Sequence, residues 1–151
     1  MKKTRCLFLL LCTTLFAYTQ QLAVLHSPQP GAFPIVHAGK ATPVWIDPSD
    51  AKVVSIAANA FQQDIADITG QMPALRNIAS DSFLIIAGTI GHAALIDSLD
   101  HLHKIKAASI EGKWETFCIE VVPHPFRGVQ QALVVYGSDR RGTAFSSPCR
   151  C

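Results

Sequence analysis

Asp139-Arg140-Arg141-Gly142 is the most unusual polar cluster in this sequence. It stands where an apolar, strand-like run (Ala132–Tyr136) gives way to a segment that reads as the start of a helix at Asp139. A guanidinium holds its donors in a rigid fork that matches carboxylate and phosphate oxygens, so two adjacent arginines here could grip an anionic ligand. The same charges would serve equally to pair across a domain interface. The residues alone leave both roles open.

Other residue patterns carry less chemistry. Gly88-Thr-Ile-Gly91 follows one apolar run and precedes a helical one, so its backbone could cradle a phosphate at a helix N-terminus. It lacks the third glycine of a dinucleotide fingerprint and any Gly-Lys-Ser/Thr, and a tight strand-to-helix turn is the expected role. His92, His101 and His103, with Asp97 and Asp100 nearby, invite a metal reading. The two-residue spacing of His101 and His103 suits a strand better than the helix predicted there, no convincing ligand set is completed, and no metal is assigned. Exposed tryptophans can stack on sugars, yet core anchoring is the expectation for Trp114 and more so for Trp45. No Gly-x-Ser-x-Gly elbow is present, so a serine triad has no footing. No cofactor is implied.

The elements that must position these residues follow from pattern. Phe33–Val36 and Pro43–Ile46 read as two strands of a hairpin around HAGKAT, with Pro43 marking an edge or a strand end. Asp47-Pro48-Ser49-Asp50 reads as a helix start, with Asp47 accepting from orphan N–H groups and Asp50 favouring the positive helix end. Val54, Ala57, Ala58, Phe61, Ile65 and Ile68 then form one stripe, and Gly70 and Pro73 end it. The unbroken apolar run Phe83–Ala87 predicts a strand covered on both faces, followed by a short helix over residues 92–97. Thr116–Val122 and Ala132–Tyr136 supply two more strands. The order β-β-α-β-α-β-β gives an α/β fold, a small mixed sheet with helices packed on it.

Composition sets the outer bounds. The chain has 151 residues, 49% hydrophobic and 16% charged, the profile of a packed domain. Lys2, Lys3 and Arg5 precede an uncharged, mostly apolar run from Cys6 to Ala17, which suits a secretory signal peptide over residues 1–20 and places the mature chain in the periplasm or outside the cell. Cys12 could mark a lipoprotein, but Leu11 before it is bulky for that role, and a retained anchor helix is the other alternative. Residues 1–20 hold three basic residues and no acid, so 10 basic face 11 acidic residues afterwards. Nothing then advertises nucleic-acid binding, and no membrane partner is expected once the signal is removed. Cys118 falls in an apolar run and reads as a free thiol, and Cys149 and Cys151 make neither a disulfide framework nor a zinc site. Residues 21–32 read as a linker and 33–145 as one domain, too short for a (β/α)8 barrel of about 250 residues.

Several blocks together resemble glycoside hydrolase family 115, the xylan α-1,2-glucuronidases. They are FPIVHAGKATPVWIDPSDAKVVSIAANAFQQDIADITGQMP (33–73), IIAGTIGH (85–92), IEGKWETFCIEVV (110–122) and ALVVYGSDRRGTAF (132–145), in order. The resemblance implies the N-terminal α/β domain that precedes a catalytic barrel in glucuronidases and hexosaminidases. It implies an inverting hydrolase whose acid and base carboxylates, about 6.5–9.5 Å apart, belong to that barrel. No catalytic residue is therefore carried over to this chain. Asp139, Arg140 and Arg141 match a motif near the junction with the barrel, which implies interface pairing or a reach toward the uronate carboxylate. The implied partners are that missing barrel and glucuronoxylan. SSPCRC (146–151) departs from the family's continuing helix, and Pro148 would halt one, so the expectation is a truncated, non-catalytic piece with an association-prone surface. A stand-alone periplasmic carbohydrate-binding or interaction module is the alternative.

Overall fold

The structure, a computed structural model, describes residues 25, 27, 29–76 and 82–145. The signal peptide expected over residues 1–20, the first part of the linker and the tail at 146–151 lie outside them. Among the described residues, no helix is long and apolar enough to cross a membrane.

Five strands form one sheet in the order β4-β3-β5-β7-β6. They are β3 (Val44–Ile46), β4 (Leu75–Arg76), β5 (Phe83–Thr89), β6 (Phe117–Pro123) and β7 (Gln131–Gly137). The first four in spatial order run parallel, and β6 closes the far edge antiparallel to β7. The helices are α1 (Lys52–Thr69), α2 (Ala94–His101) and α3 (Arg140–Phe145), and a small hairpin of β1 (Val36–His37) and β2 (Lys40–Ala41) stands apart from the sheet. The mixed α/β sheet expected from the sequence is therefore present.

Side chains alternate across a strand, and that alternation builds two cores. Trp45, Leu84, Ile86, Val122, Ala132, Val134 and Tyr136 face α2, where Ala93, Ile96 and Leu99 meet them. Val44, Ile85, Ile46 and Leu133 face the other way, onto Phe61 and Ile65 of α1. Consecutive Ile85 and Ile86 are both buried, as a strand covered on both sides requires. Tyr136, fully buried, keeps its hydroxyl satisfied: it donates to Glu120 Oε1 at 2.7 Å and accepts from the Lys106 amide at 3.3 Å. Burial, then the adjacent Cys118 and Glu120, push its pKa up, so the phenol stays a donor.

Several local expectations need correction. The hairpin turns at Ala38-Gly39, both in the left-handed region, and pairs Val36 with Ala41. Pro43–Ile46 is no partner of Phe33–Val36. It enters the main sheet between β4 and β5, because two parallel neighbours bury Val44 and Trp45 completely enough to outweigh a local ribbon. Edge strand β4 was not expected, being two residues long. Helix α1 starts at Lys52 with Ala51 as its cap and no side-chain cap bond, so Asp47 and Asp50 are free to bond elsewhere. Its apolar stripe stops at Ile65. Ile68 is 78% exposed, two residues before Gly70 ends the helix at φ 70°. Helix α2 begins at Ala94, two residues later than expected, and runs on to His101.

Candidate functional site

The C-terminal ends of parallel strands are where open α/β sheets bind ligands, at the point where successive helices leave to opposite faces. Here that point lies between β3, whose helix α1 packs on one face, and β5, whose helix α2 packs on the other. Asp47 and Asp50 follow β3, and Thr89–Gly91 follow β5. The crevice between them is closed by the chain's own carboxylates. Asp50 Oδ2 accepts from the Thr89 amide at 2.8 Å, and Asp47 Oδ2 accepts from Ala94 at the first turn of α2 at 2.9 Å. Asp97 Oδ1 accepts from the Gly91 amide at 2.7 Å. The hydroxyl of Ser49, then the amides of Ala94 and Ser49, hold the Asp47 carboxyl below the ordinary carboxylate range.

This arrangement explains the Gly88-Thr-Ile-Gly91 turn. A Cβ on Gly88 would stand 2.3 Å from Ala93 Cβ and 3.0 Å from Ile96 Cγ1, so the glycine lets α2 close onto β5. The amides that could have cradled a phosphate already have partners: carboxylates for Thr89, Gly91 and Ala94, and backbone carbonyls for Ile90, His92 and Ala93. The tight-turn reading is the one the geometry favours.

Next along the same edge, the chain leaving β7 reaches Asp139 and the start of α3 at Arg140-Arg141. Asp139 caps α3: Oδ1 accepts from the Arg141 amide at 3.0 Å and the Gly142 amide at 2.7 Å. Oδ2 accepts from the Glu115 amide at 3.0 Å, which ties the segment before β6 to the helix. The Gly142 amide, then that of Glu115, with the Arg141 amide and charge adding to them, lower the Asp139 pKa. Gly142 lets the helix lie against β6, since a Cβ there would stand 2.5 Å from the Thr116 carbonyl oxygen. Below it, Thr143 Oγ1 and Thr89 Oγ1 meet at 2.9 Å. Arg141 reaches Glu115 Oε1 at 3.1 Å and lies over the Trp114 ring, 5.6 Å from its centroid. Arg140 is exposed at the first position of α3.

No family model and no curated protein matches this chain. A solved structure does, that of a family GH115 4-O-methyl-α-glucuronidase with specificity for decorated arabinogalactans. The TM-score is 0.59 and the identity 24%, over 74% of this chain. The likeness is one of fold. The chain spans only 13% of that enzyme's length. The GH115-like fold implied by the quoted blocks is thus present.

Of the residues singled out by sequence, Asp139, Arg141 and Trp114 come together, and Glu115 joins them. Trp114 is 74% exposed, which corrects the expectation that it anchors the core: its segment runs outside the sheet before β6 begins. Trp45 is buried as expected. The histidines do not converge, since His92 precedes α2 and His101 lies at its far end. Among the described residues, no group of three or more His, Cys, Asp or Glu could hold a metal ion. Cys118 is a half-buried free thiol. Sequence reasoning missed the reach of Asp47 to Ala94 and of Asp50 to Thr89. They span 47 and 39 positions in the chain, and no local pattern signals them.

Chemically, the edge is a binding or packing surface. Asp47, Asp50, Asp97 and Asp139 are each spent on backbone amides, and Glu115 on Arg141. What remains presented to solvent is an indole face, a partly exposed guanidinium and Arg140.

Proposed function

We propose that this chain is the non-catalytic N-terminal α/β domain of a secreted, α-glucuronidase-like glycoside hydrolase that acts, when intact, on the uronate side chains of glucuronoxylan. The observation that carries the reading is a coincidence: the blocks that resemble family 115 span residues 33–145, and the GH115 fold match covers 74% of the same chain but 13% of the enzyme. The commitment of the edge carboxylates to structural bonds supports a supporting role over a catalytic one, because an inverting pair must keep two carboxyls free to flank a glycosidic bond. The exposed Trp114, Arg140 and Arg141 are then anchors for the catalytic barrel, as Trp and Arg commonly are at interfaces. The leader at residues 1–20 would direct the protein to the periplasm or beyond.

A second reading has its own observation. An indole 74% exposed, with a guanidinium over its ring, suits a carbohydrate-binding module acting alone. One experiment separates the two. The gene is sequenced past codon 145, and the whole chain is assayed for glucuronoxylan binding by affinity electrophoresis. A barrel-coding frame and no retardation support the hydrolase domain. Unrelated downstream sequence with saturable retardation, abolished in Trp114→Ala, would replace it with the module.

A further inference from the structure

A groove of about 550 Å³ lies at the opposite edge of the sheet, between the segment leaving α2 and the β6–β7 hairpin. Its size falls within the usual range for small-ligand sites. Leu102 and Phe126 give it an apolar wall, and Lys104, His124, Arg127 and Gln130 supply its polar lining. Among the described residues, no carboxylate lines it. Lys104 Nζ donates to the carbonyls of His124 at 2.5 Å and Pro125 at 2.9 Å, which fixes the hairpin and leaves one ammonium hydrogen for the groove. Arg127 has no hydrogen-bonding or ionic partner among the described residues.

The backbone points to the same place. Among the described residues, four that are not glycine have positive φ, and two of them, His103 at 53° and His124 at 47°, flank the two ends of the Lys104 latch. Such conformations cost energy unless surrounding contacts enforce them, and they concentrate at binding sites. The C-terminal end of α2 accounts for a cation near His101 and His103, but not for one on the hairpin.

We propose that this groove binds a small oxyanion-bearing ligand, its carboxylate or phosphate held in the fork of Arg127 beside Lys104 and its carbon body against Leu102 and Phe126. The site is separate from the Trp114–Arg141 surface and does not depend on the function proposed above.

The test is an NMR titration of the whole chain with sodium glucuronate, with inorganic phosphate, and with glucose as the neutral control. Saturable shifts confined to amides of residues 102–104 and 124–130 are expected with at least one anion and not with glucose. The anion that acts identifies the source, carboxylate or phosphate. Arg127→Gln should weaken binding roughly tenfold, the scale of one lost charge-assisted hydrogen bond. Arg127→Lys should recover part of that loss, since it restores charge without the fork. Arg127 is an exposed hairpin residue, so unchanged melting of both variants is the folding control. Equal binding by Arg127→Gln, equal shifts with glucose, or no saturable shift with either anion overturns the proposal.

Discussion

The two tryptophans carry opposite burdens. Trp45 is 4% exposed on β3, inside the sheet, where Val44 and Ile46 beside it face the other core. Trp114 stands in solvent with only Arg141 across its ring. Truncating a buried tryptophan costs about 3–5 kcal/mol, whereas a surface change away from a packed contact stays within about 0.5 kcal/mol. Urea unfolding should therefore show Trp45→Ala severely destabilised and Trp114→Ala close to the parent. Acrylamide should quench the Trp114→Phe protein far less than the Trp45→Phe protein. Equal quenching would mean that Trp114 is covered. Tyr136 offers a second residue-level check, because it is the one tyrosine outside residues 1–20. Burial raises the Tyr136 pKa above its unfolded value near 10, so its contribution to stability is complete below that pH and is lost as pH rises through the folded value. Ultraviolet titration of the chain lacking residues 1–20 should show phenol ionisation only together with alkaline unfolding. Ionisation well ahead of unfolding would mean that the Tyr136–Glu120 bond does not persist.

Between elements, the ties at the C-terminal edge are carboxylates bonded to amides. Asp47 joins the end of β3 to the start of α2, and Asp139 joins the approach to β6 to α3. Both have pKa values lowered by those bonds, so each contributes stability that is complete above the unfolded carboxylate pKa near 3.9 and is lost as pH falls through the lower folded value. Urea midpoints should fall modestly on acidification from about pH 5 to pH 2, since both carboxyls are largely screened by solvent. The double variant Asp47→Asn, Asp139→Asn should start lower and show a shallower fall, and a parallel fall would place the acid sensitivity elsewhere. These ties also mark the limit of what could be read from residues alone. Strands β5, β6 and β7, long α1 and a short helix after β5 were legible, because apolar runs and three-and-four spacing are local signals of burial. Asp139 as the start of a helix was legible too, since a cap acts within three residues. The partners of Asp47 and Asp50 were not, and neither was the exposure of Trp114, because each depends on where a distant segment comes to rest. The seating of β3 between β4 and β5 went unread for the same reason: three residues are as compatible with a ribbon as with a sheet interior.

At the scale of the whole molecule, the two faces of the sheet are covered unequally. The face under α2 is sealed, with Leu84, Ile86, Ala132, Val134 and Tyr136 each fully buried. On the opposite face, α1 covers β3 and β5, and short α3 packs on α1, β7 and β5 and touches β6 lightly. The β6 residues of that face, Phe117, Ile119 and Val121, pair in register with Gly137, Val135 and Leu133. Phe117 is 43% exposed and Val121 36%, and Phe145 at the end of α3 is 66% exposed on the same side. Strand β6 is also an edge, and an apolar edge strand offers unpaired backbone groups together with sticky side chains. A charge on such a strand is the ordinary natural defence against pairing. The isolated chain should therefore self-associate, with a sedimentation coefficient that rises with protein concentration. Val121→Lys should suppress that rise while leaving the melting temperature nearly unchanged, because the side chain already lies half in solvent. Val122→Lys, one residue on, would instead place a charge among Ala132, Val129 and Ile110 in the sealed core and should prevent folding. A native chain that sediments as a monomer at every concentration would mean that the β6 face is too small to drive association.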